Sequence, residues 1–211
     1  MSIEAVILDI DQTIYKNQYL SYAYDEAMVD LLAKKNDIDI TAAKERLENK
    51  KKYIRSVDGL SSTTKALLEL GVTLDEWIDF SCSHVDPRRY LTKDSAAIHT
   101  VKWLSENFKI AVISNNNAIQ LFRTYEAIGV DSYLSDVATL SISSTKILKP
   151  DVSLFRMALS RVNVIPPNAL AVGDREDTDL APAILLCMPT YKVDSMDDVY
   201  SLDSYIKAYR Y

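Results

Sequence analysis

The sequence predicts an α/β protein, a doubly wound parallel sheet with a wholly helical segment inserted after its first strand. Three observations carry this. Short, continuous apolar runs alternate with helical patterns, as in parallel sheets covered on both faces. The alternation is interrupted once, from about Ile14 to Thr92, by a stretch that patterns as helix throughout. At 211 residues, with 48% hydrophobic and 26% charged residues, the chain can bury one ample core and a smaller inserted domain.

The elements follow in order. Ile3–Asp9 is the first strand, an apolar run ending on a carboxylate. Helices are expected over Tyr22–Lys35, Thr41–Tyr53, Thr63–Leu70 and Leu74–His84, so the chain divides into a core of 1–14 and 93–211 and a helical domain of 15–92. Thr41 is the expected N-cap of the second helix, and Thr73 with Glu76 forms a capping box at the start of the fourth. The core resumes with a helix over Lys93–Glu106 and a strand over Lys109–Ser114. A helix over Ala118–Ile128 is ended by Gly129. Strand Val137–Leu140, helix Val152–Val162, strand Ala169–Gly173, helix Leu180–Cys187 and strand Thr190–Val193 complete the pattern.

Composition excludes several classes. A net charge of −6 with no offsetting basic block argues against a nucleic-acid surface; Lys50–Lys52, beside Arg46 and Arg55, reads as a solvated helix face. No apolar stretch reaches the length of a membrane span, and the N-terminus enters the first strand without a signal-peptide pattern. Cys82 and Cys187 lie far apart without metal-ligand spacing and are expected to be reduced, buried thiols of a cytoplasmic protein. His84 and His99 are isolated.

The most informative segment is Ala5–Tyr15. Its apolar run delivers Asp9 and Asp11 at i, i+2, with Thr13 two residues on. Residues two apart on extended backbone share a side, so the two carboxylates project together, and one must be neutralised by a proton or a cation. This reads as a metal-assisted catalytic site. Parallel sheets bind ligands at the carboxyl ends of their strands, where Asp9, Ser114 and Asp174 fall. Ser114-Asn115-Asn116-Asn117 offers a hydroxyl and backbone amides to a phosphate, although an ordinary N-cap turn has the same composition. Lys149-Pro150-Asp151 places a cation at a helix start; alone it is also consistent with surface charge. Gly173-Asp174 through Asp179 is an acidic loop after a buried strand, suited to a hard cation or to a solvated helix start.

Taken in order, these four pieces resemble the haloacid dehalogenase-like superfamily of phosphatases and phosphotransferases: Asp9-x-Asp11-x-Thr13, Ser114, Lys149, and Gly173-Asp174-x-x-x-x-Asp179. The resemblance implies a Rossmann-like core with a helical cap inserted between the first and second motifs. It implies that Asp9 is the nucleophile, forming an aspartyl phosphate, and that Asp11 is the acid and base. Mg²⁺ would be held by Asp9, the backbone carbonyl of Asp11 and Asp174. Thr13, Ser114 and Asn115 would bind the phosphoryl group, Lys149 would balance its charge, and Asp179 would position Lys149 or a metal-bound water. Dehalogenases of this superfamily lack the second carboxylate, so Asp11 favours phosphoryl transfer. The family usually has Gly or Asn after that carboxylate; here it is Gln12.

The expected activity is a Mg²⁺-dependent phosphatase acting on a small phosphorylated metabolite: a nucleotide, a sugar phosphate or phosphoglycolate. A phosphomutase of the β-phosphoglucomutase type and a non-catalytic binding protein are the alternatives. The stretch Asp58–Leu67, with Gly71, Asp75-Glu76-Trp77 and His84–Leu91, loosely resembles the cap of pyrimidine 5′-nucleotidase-like members. Arg88 and Arg89 are there either anion-binding residues or exposed arginines before a helix.

Overall fold

A computed structural model describes residues 2–59 and 62–208. Two positions of the cap-like stretch, Leu60 and Ser61, lie outside the described residues. The chain divides into two compact units, one formed by 1–16 with 91–211 and the other by 17–90.

The first unit opens with β1 (Ala5–Leu8), whose four residues are all buried. The chain then enters the second unit, which holds α1 (Gln18–Asn36), α2 (Ile40–Asp58), α3 (Thr63–Glu69) and α4 (Leu74–His84). Helix α1 packs against α2, α3 and α4. It begins four residues before the expected start, because the Asn17 side chain accepts from the Leu20 amide at 2.9 Å and caps it. Helix α2 is capped by Asp39, which accepts from the Ala42 amide at 2.9 Å. The expected cap, Thr41, lies inside the helix instead, since the Asp39 carboxylate satisfies that orphan amide first. The Thr73–Glu76 capping box is present in both directions.

The first unit continues with α5 (Ser95–Asn107), β2 (Lys109–Ser114), α6 (Ala118–Ile128), a single turn α7 (Asp131–Leu134), β3 (Ala138–Ser141) and a second single turn α8 (Ile142–Thr145). Then come α9 (Val152–Val162), β4 (Ala169–Gly173), a π-turn over Glu176–Leu180, α10 (Ala181–Leu185), β5 (Thr190–Lys192) and α11 (Met196–Ala208). Gly129 ends α6 in the left-handed region, at φ 80°.

All strands are parallel, in the order β3-β2-β1-β4-β5. Strand β1 is therefore central, and its side chains are buried on both faces. Ala5 and Ile7 join Ala111, Ile113, Ala169 and Ala171 under Leu154, Phe155, Ala158 and Ala183 of α9 and α10. Val6 and Leu8 point to the other face, where α5 packs on β2 and pairs with α11. Each fully buried Leu or Ile here contributes about 1.5–3 kcal/mol. In register, Leu8 lies beside Val112 and Val172. Asp9, Ser114 and Asp174 thus follow within two residues of one row, at the carboxyl edge of the sheet.

Three expectations are corrected. The helix expected over Leu180–Cys187 is split into the π-turn and α10 and stops at Leu185. The sequence reading did not include α11, a helix poor in strong helix formers; Val199, Leu202 and Ile206 are its buried stripe. The cysteines are free, but Cys82 is only half-buried and Cys187 is exposed at φ 61°. Cys187 follows the end of α10, where the chain turns back toward β5 and presents its side chain to solvent. Among the described residues no helix is long and apolar enough to cross a membrane.

Candidate active site

The site is assembled where the apolar strand β1 ends. The Asp9 amide still donates to the Val172 carbonyl at 2.9 Å, one bond past the strand proper, so the ladder fixes its backbone while its carboxylate clears the sheet. The chain then turns sharply: the Thr13 and Ile14 amides both donate to the Ile10 carbonyl, and Gln12 sits at φ 60°. A non-glycine residue held left-handed costs about 1–2 kcal/mol, so the turn is maintained by its surroundings. It returns the Thr13 hydroxyl to Asp9 Oδ2, at 2.7 Å.

The other oxygen of Asp9 faces Lys149. The Nζ of this buried lysine donates to Asp9 Oδ1 at 2.6 Å and to Asp179 Oδ1 at 2.7 Å. Asn115 grips the main chain of Lys149: its Oδ1 accepts from the Lys149 amide at 2.7 Å, and its Nδ2 donates to the Lys149 carbonyl at 3.4 Å. The Asn115 side chain therefore acts on the loop that carries the lysine. Asp179 is fixed on its far side, where its Oδ2 accepts from the Arg175 amide at 3.0 Å. Gly173, at the end of β4, is required by close approach: a Cβ there would lie 2.4 Å from the Asp179 Cβ.

Asp174 projects from the end of β4, with its Oδ1 3.4 Å from the Thr13 hydroxyl. Oxygens of Asp9, Asp174 and Asp179 all lie within 4.8 Å of one another. Lys149 is the ammonium hydrogen-bonded within this group of three carboxylates, and burial with their mutual repulsion outweighs the cations nearby. Burial pushes Asp9 up to about 7, against the pull of Lys149 and with the repulsion of Asp179 and Asp11 added. Burial followed by Asp179 pushes Asp174 up to about 6. Burial alone would lower the Lys149 ammonium; Asp179 and Asp9 outweigh it and hold the group above its ordinary range. An all-oxygen, electron-rich cluster with excess negative charge fits a hard divalent cation.

Of the predicted residues, Asp9, Thr13, Lys149, Asp174 and Asp179 are joined in this network. Asp11 and Ser114 meet separately: the Ser114 hydroxyl donates to Asp11 Oδ2 at 3.1 Å and itself accepts from the Asn116 amide at 2.9 Å. Sequence reasoning missed Tyr15, whose hydroxyl donates to Asp11 Oδ1 at 2.7 Å; its i+4 spacing from Asp11 was the available signal. It also missed Arg175 and Thr178. These line a cleft of about 210 Å³ together with Asp9, Asp11, Lys149 and Asp174.

Two outcomes follow from this geometry. Gly173→Ala should destabilise the protein by about 1–3 kcal/mol, because the added methyl must displace the backbone-anchored Asp179; urea unfolding reads this, and wild-type stability would contradict it. The raised Asp9 value means the folded chain binds that proton more tightly than the unfolded one. Its stabilising contribution is complete below the unfolded value of 3.8 and is lost as pH rises through about 7. With divalent cations chelated, the stability of Asp9→Asn relative to wild type should therefore increase between pH 5 and pH 7.5. A constant or falling difference would contradict the burial of an unneutralised charge.

The profile of the haloacid dehalogenase-like hydrolases matches residues 3–185. A glyceraldehyde 3-phosphate phosphatase of Methanocaldococcus jannaschii is 24% identical over 221 residues, covering 94% of this chain and 91% of that protein. Among solved structures, a phosphatase of the same superfamily from Thermococcus onnurineus superposes with a TM-score of 0.64 at 20% identity, covering 97% of this chain and 98% of that one. A 2-haloacid dehalogenase from Pseudomonas syringae superposes with a TM-score of 0.60, also at 20% identity, covering 98% and 99%. At these identities the two structures speak for the fold alone. The family profile spans most of the chain and all four strand-end motifs, and on that match the protein belongs to the haloacid dehalogenase-like hydrolases.

Proposed function

We propose that this hydrolase is a Mg²⁺-dependent phosphatase that cleaves a small phosphomonoester through an aspartyl phosphate on Asp9. The observation that carries the reading is the state of the Asp9 carboxylate. It is buried at the end of the central strand, with one oxygen on Lys149, the other on Thr13, and a second carboxylate, Asp11, two residues away.

In this reading an Asp9 oxygen attacks phosphorus as the bond to the leaving oxygen breaks, and Asp11 delivers its proton to that oxygen. Water then attacks the phosphorus of the aspartyl phosphate. Asp11 takes the proton from that water, and the bond to Asp9 breaks to release phosphate. Lys149 stays charged throughout and offsets the charge on Asp9 and the phosphoryl group. Asp179 holds the Lys149 ammonium and Asn115 its main chain. Asp9, the Asp11 carbonyl and Asp174 are the assigned ligands of Mg²⁺, with Asp179 within reach; when bound, the ion screens the repulsion between carboxylate and phosphate dianion.

Asp11 weighs against dehalogenation, because a halide leaves without a proton. The hydrolase profile and the phosphatase named among the relatives do not favour the phosphomutase alternative. The strand-end motifs account for the phosphoryl group and the metal and leave the rest of the substrate unread, so we assign its recognition to the inserted helical segment that holds α1 to α4. Arg88 of that segment forks onto its own neighbour Asp86, with Nη2 at 2.9 Å from Oδ2, which weakens its candidacy as an anion ligand. Candidate substrates are D-glyceraldehyde 3-phosphate, by analogy with the archaeal relative, phosphoglycolate, sugar phosphates and pyrimidine nucleoside monophosphates.

Phosphate release from these compounds and from p-nitrophenyl phosphate tests the reading. Turnover should require Mg²⁺, vanish with EDTA and return on adding Mg²⁺. Asp9→Asn should lower it by at least about a hundredfold, as expected for loss of a covalent nucleophile. Full activity in EDTA, or more than about a tenth of wild-type turnover in Asp9→Asn, would overturn it.

A further inference from the structure

Asp11 is gripped at both carboxylate oxygens by hydroxyl groups. Tyr15 donates to Oδ1 at 2.7 Å and Ser114 to Oδ2 at 3.1 Å. The two donors come from different elements: Tyr15 from the turn that follows β1, Ser114 from the end of β2. Both are buried, Tyr15 at 7% exposure and Ser114 at 2%. The Ser114 hydroxyl is itself oriented by the Asn116 amide, at 2.9 Å. Tyr15 is placed by the same turn that brings Thr13 back to Asp9.

We infer that Tyr15 is a positioning residue for Asp11, and that its hydroxyl fixes the carboxyl group for proton transfer to the leaving oxygen. This rests on the phosphatase reading above. An aspartate side chain has two rotatable bonds, and its terminal torsion is broad. Ser114 alone holds one oxygen and leaves the carboxyl free to swing about that contact. A second short hydrogen bond on the other oxygen removes that freedom. A phenol suits the task because it both donates and accepts, so the contact survives when Asp11 gives up or regains its proton. In the step concerned, the Asp9–phosphorus bond forms, the bond between phosphorus and the leaving oxygen breaks, and the proton passes from Asp11 to that oxygen. Misalignment of Asp11 harms this step in proportion to how much the leaving group needs the proton. An alkoxide needs it fully, and a nitrophenolate barely at all.

The test is Tyr15→Phe, assayed in the Mg²⁺-loaded enzyme with p-nitrophenyl phosphate and with whichever candidate alkyl phosphate, D-glyceraldehyde 3-phosphate first, the wild type turns over best. The quantity read is kcat/KM, which reports the steps through phosphoryl transfer. The expected result is a fall of about tenfold or more in the ratio of the alkyl to the aryl substrate, within the span that positioned acid–base groups supply. Residual turnover of the aryl ester and a retained cooperative thermal transition control for folding. An unchanged ratio, including an equal loss on both substrates, would overturn the role of Tyr15 while leaving the phosphatase reading in place. Wild-type enzyme inactive on p-nitrophenyl phosphate and on every candidate phosphomonoester would overturn that reading, and the role of Tyr15 with it.

Discussion

The structure at the strand ends depends on one buried ammonium. Lys149 bridges Asp9 and Asp179 at 2.6 and 2.7 Å, and all three side chains are almost fully removed from solvent. Such a cluster is a poor way to stabilise a fold, because the desolvation of several charges consumes most of their attraction. Its value is positional. The lysine ties the end of β1 to the loop before α9 and to the π-turn after β4, three segments far apart in sequence. Three neighbours support this bridge: Asn115 grips the lysine backbone, the Arg175 amide anchors Asp179, and Gly173 leaves the space Asp179 occupies.

The bridge also leaves a carboxylate cluster suited to a cation. Asp9 and Asp179 share the Lys149 ammonium, and Asp174 stands beside them, where burial and Asp179 outweigh the pull of Lys16, Lys149 and Arg175. Burial raises both Asp9 and Asp174 above the usual carboxylate range. A proton answers this imbalance at low pH, and a hard divalent ion fits the same oxygens. The fold alone does not distinguish a phosphatase from a dehalogenase, since members of both kinds superpose on this chain about equally well. In the function proposed here the distinction lies in Asp11, a local feature grafted on a shared sheet.

Much of this was legible in the sequence. The three inner strands, β1, β2 and β4, carry continuous apolar runs, and the breaks between them mark the helices, so the parallel sheet and the site at its carboxyl edge could be read directly. Asp9 and Asp11 could be named because paired carboxylates directly after an apolar strand have few structural uses; Asp174 was suggested by its acidic loop, and Lys149 and Asp179 took their roles only from the resemblance of the ordered motifs to the family. Caps were harder. Asp39 and Asn17 compete with nearby Thr and Tyr positions, and only the geometry decides which side chain reaches the orphan amide. Helix α11 was hidden by aspartates, serines and tyrosines, which mask the spacing of Val199, Leu202 and Ile206. The exposure of Cys187 depends on where α10 stops, which its composition does not announce. Tyr15 looked like an ordinary apolar residue after the motif, because a tyrosine ring packs in a core while its hydroxyl serves a site.

The central claim is that the carboxylate held by Lys149 becomes phosphorylated. Rapid mixing of enzyme, Mg²⁺ and substrate, quenching with borohydride and peptide mass spectrometry tests it directly, because reduction of an aspartyl phosphate leaves homoserine at the modified position. The account predicts homoserine at residue 9 and unaltered aspartate at residue 11. Homoserine at residue 11, or turnover with no reducible intermediate at either position, would contradict it.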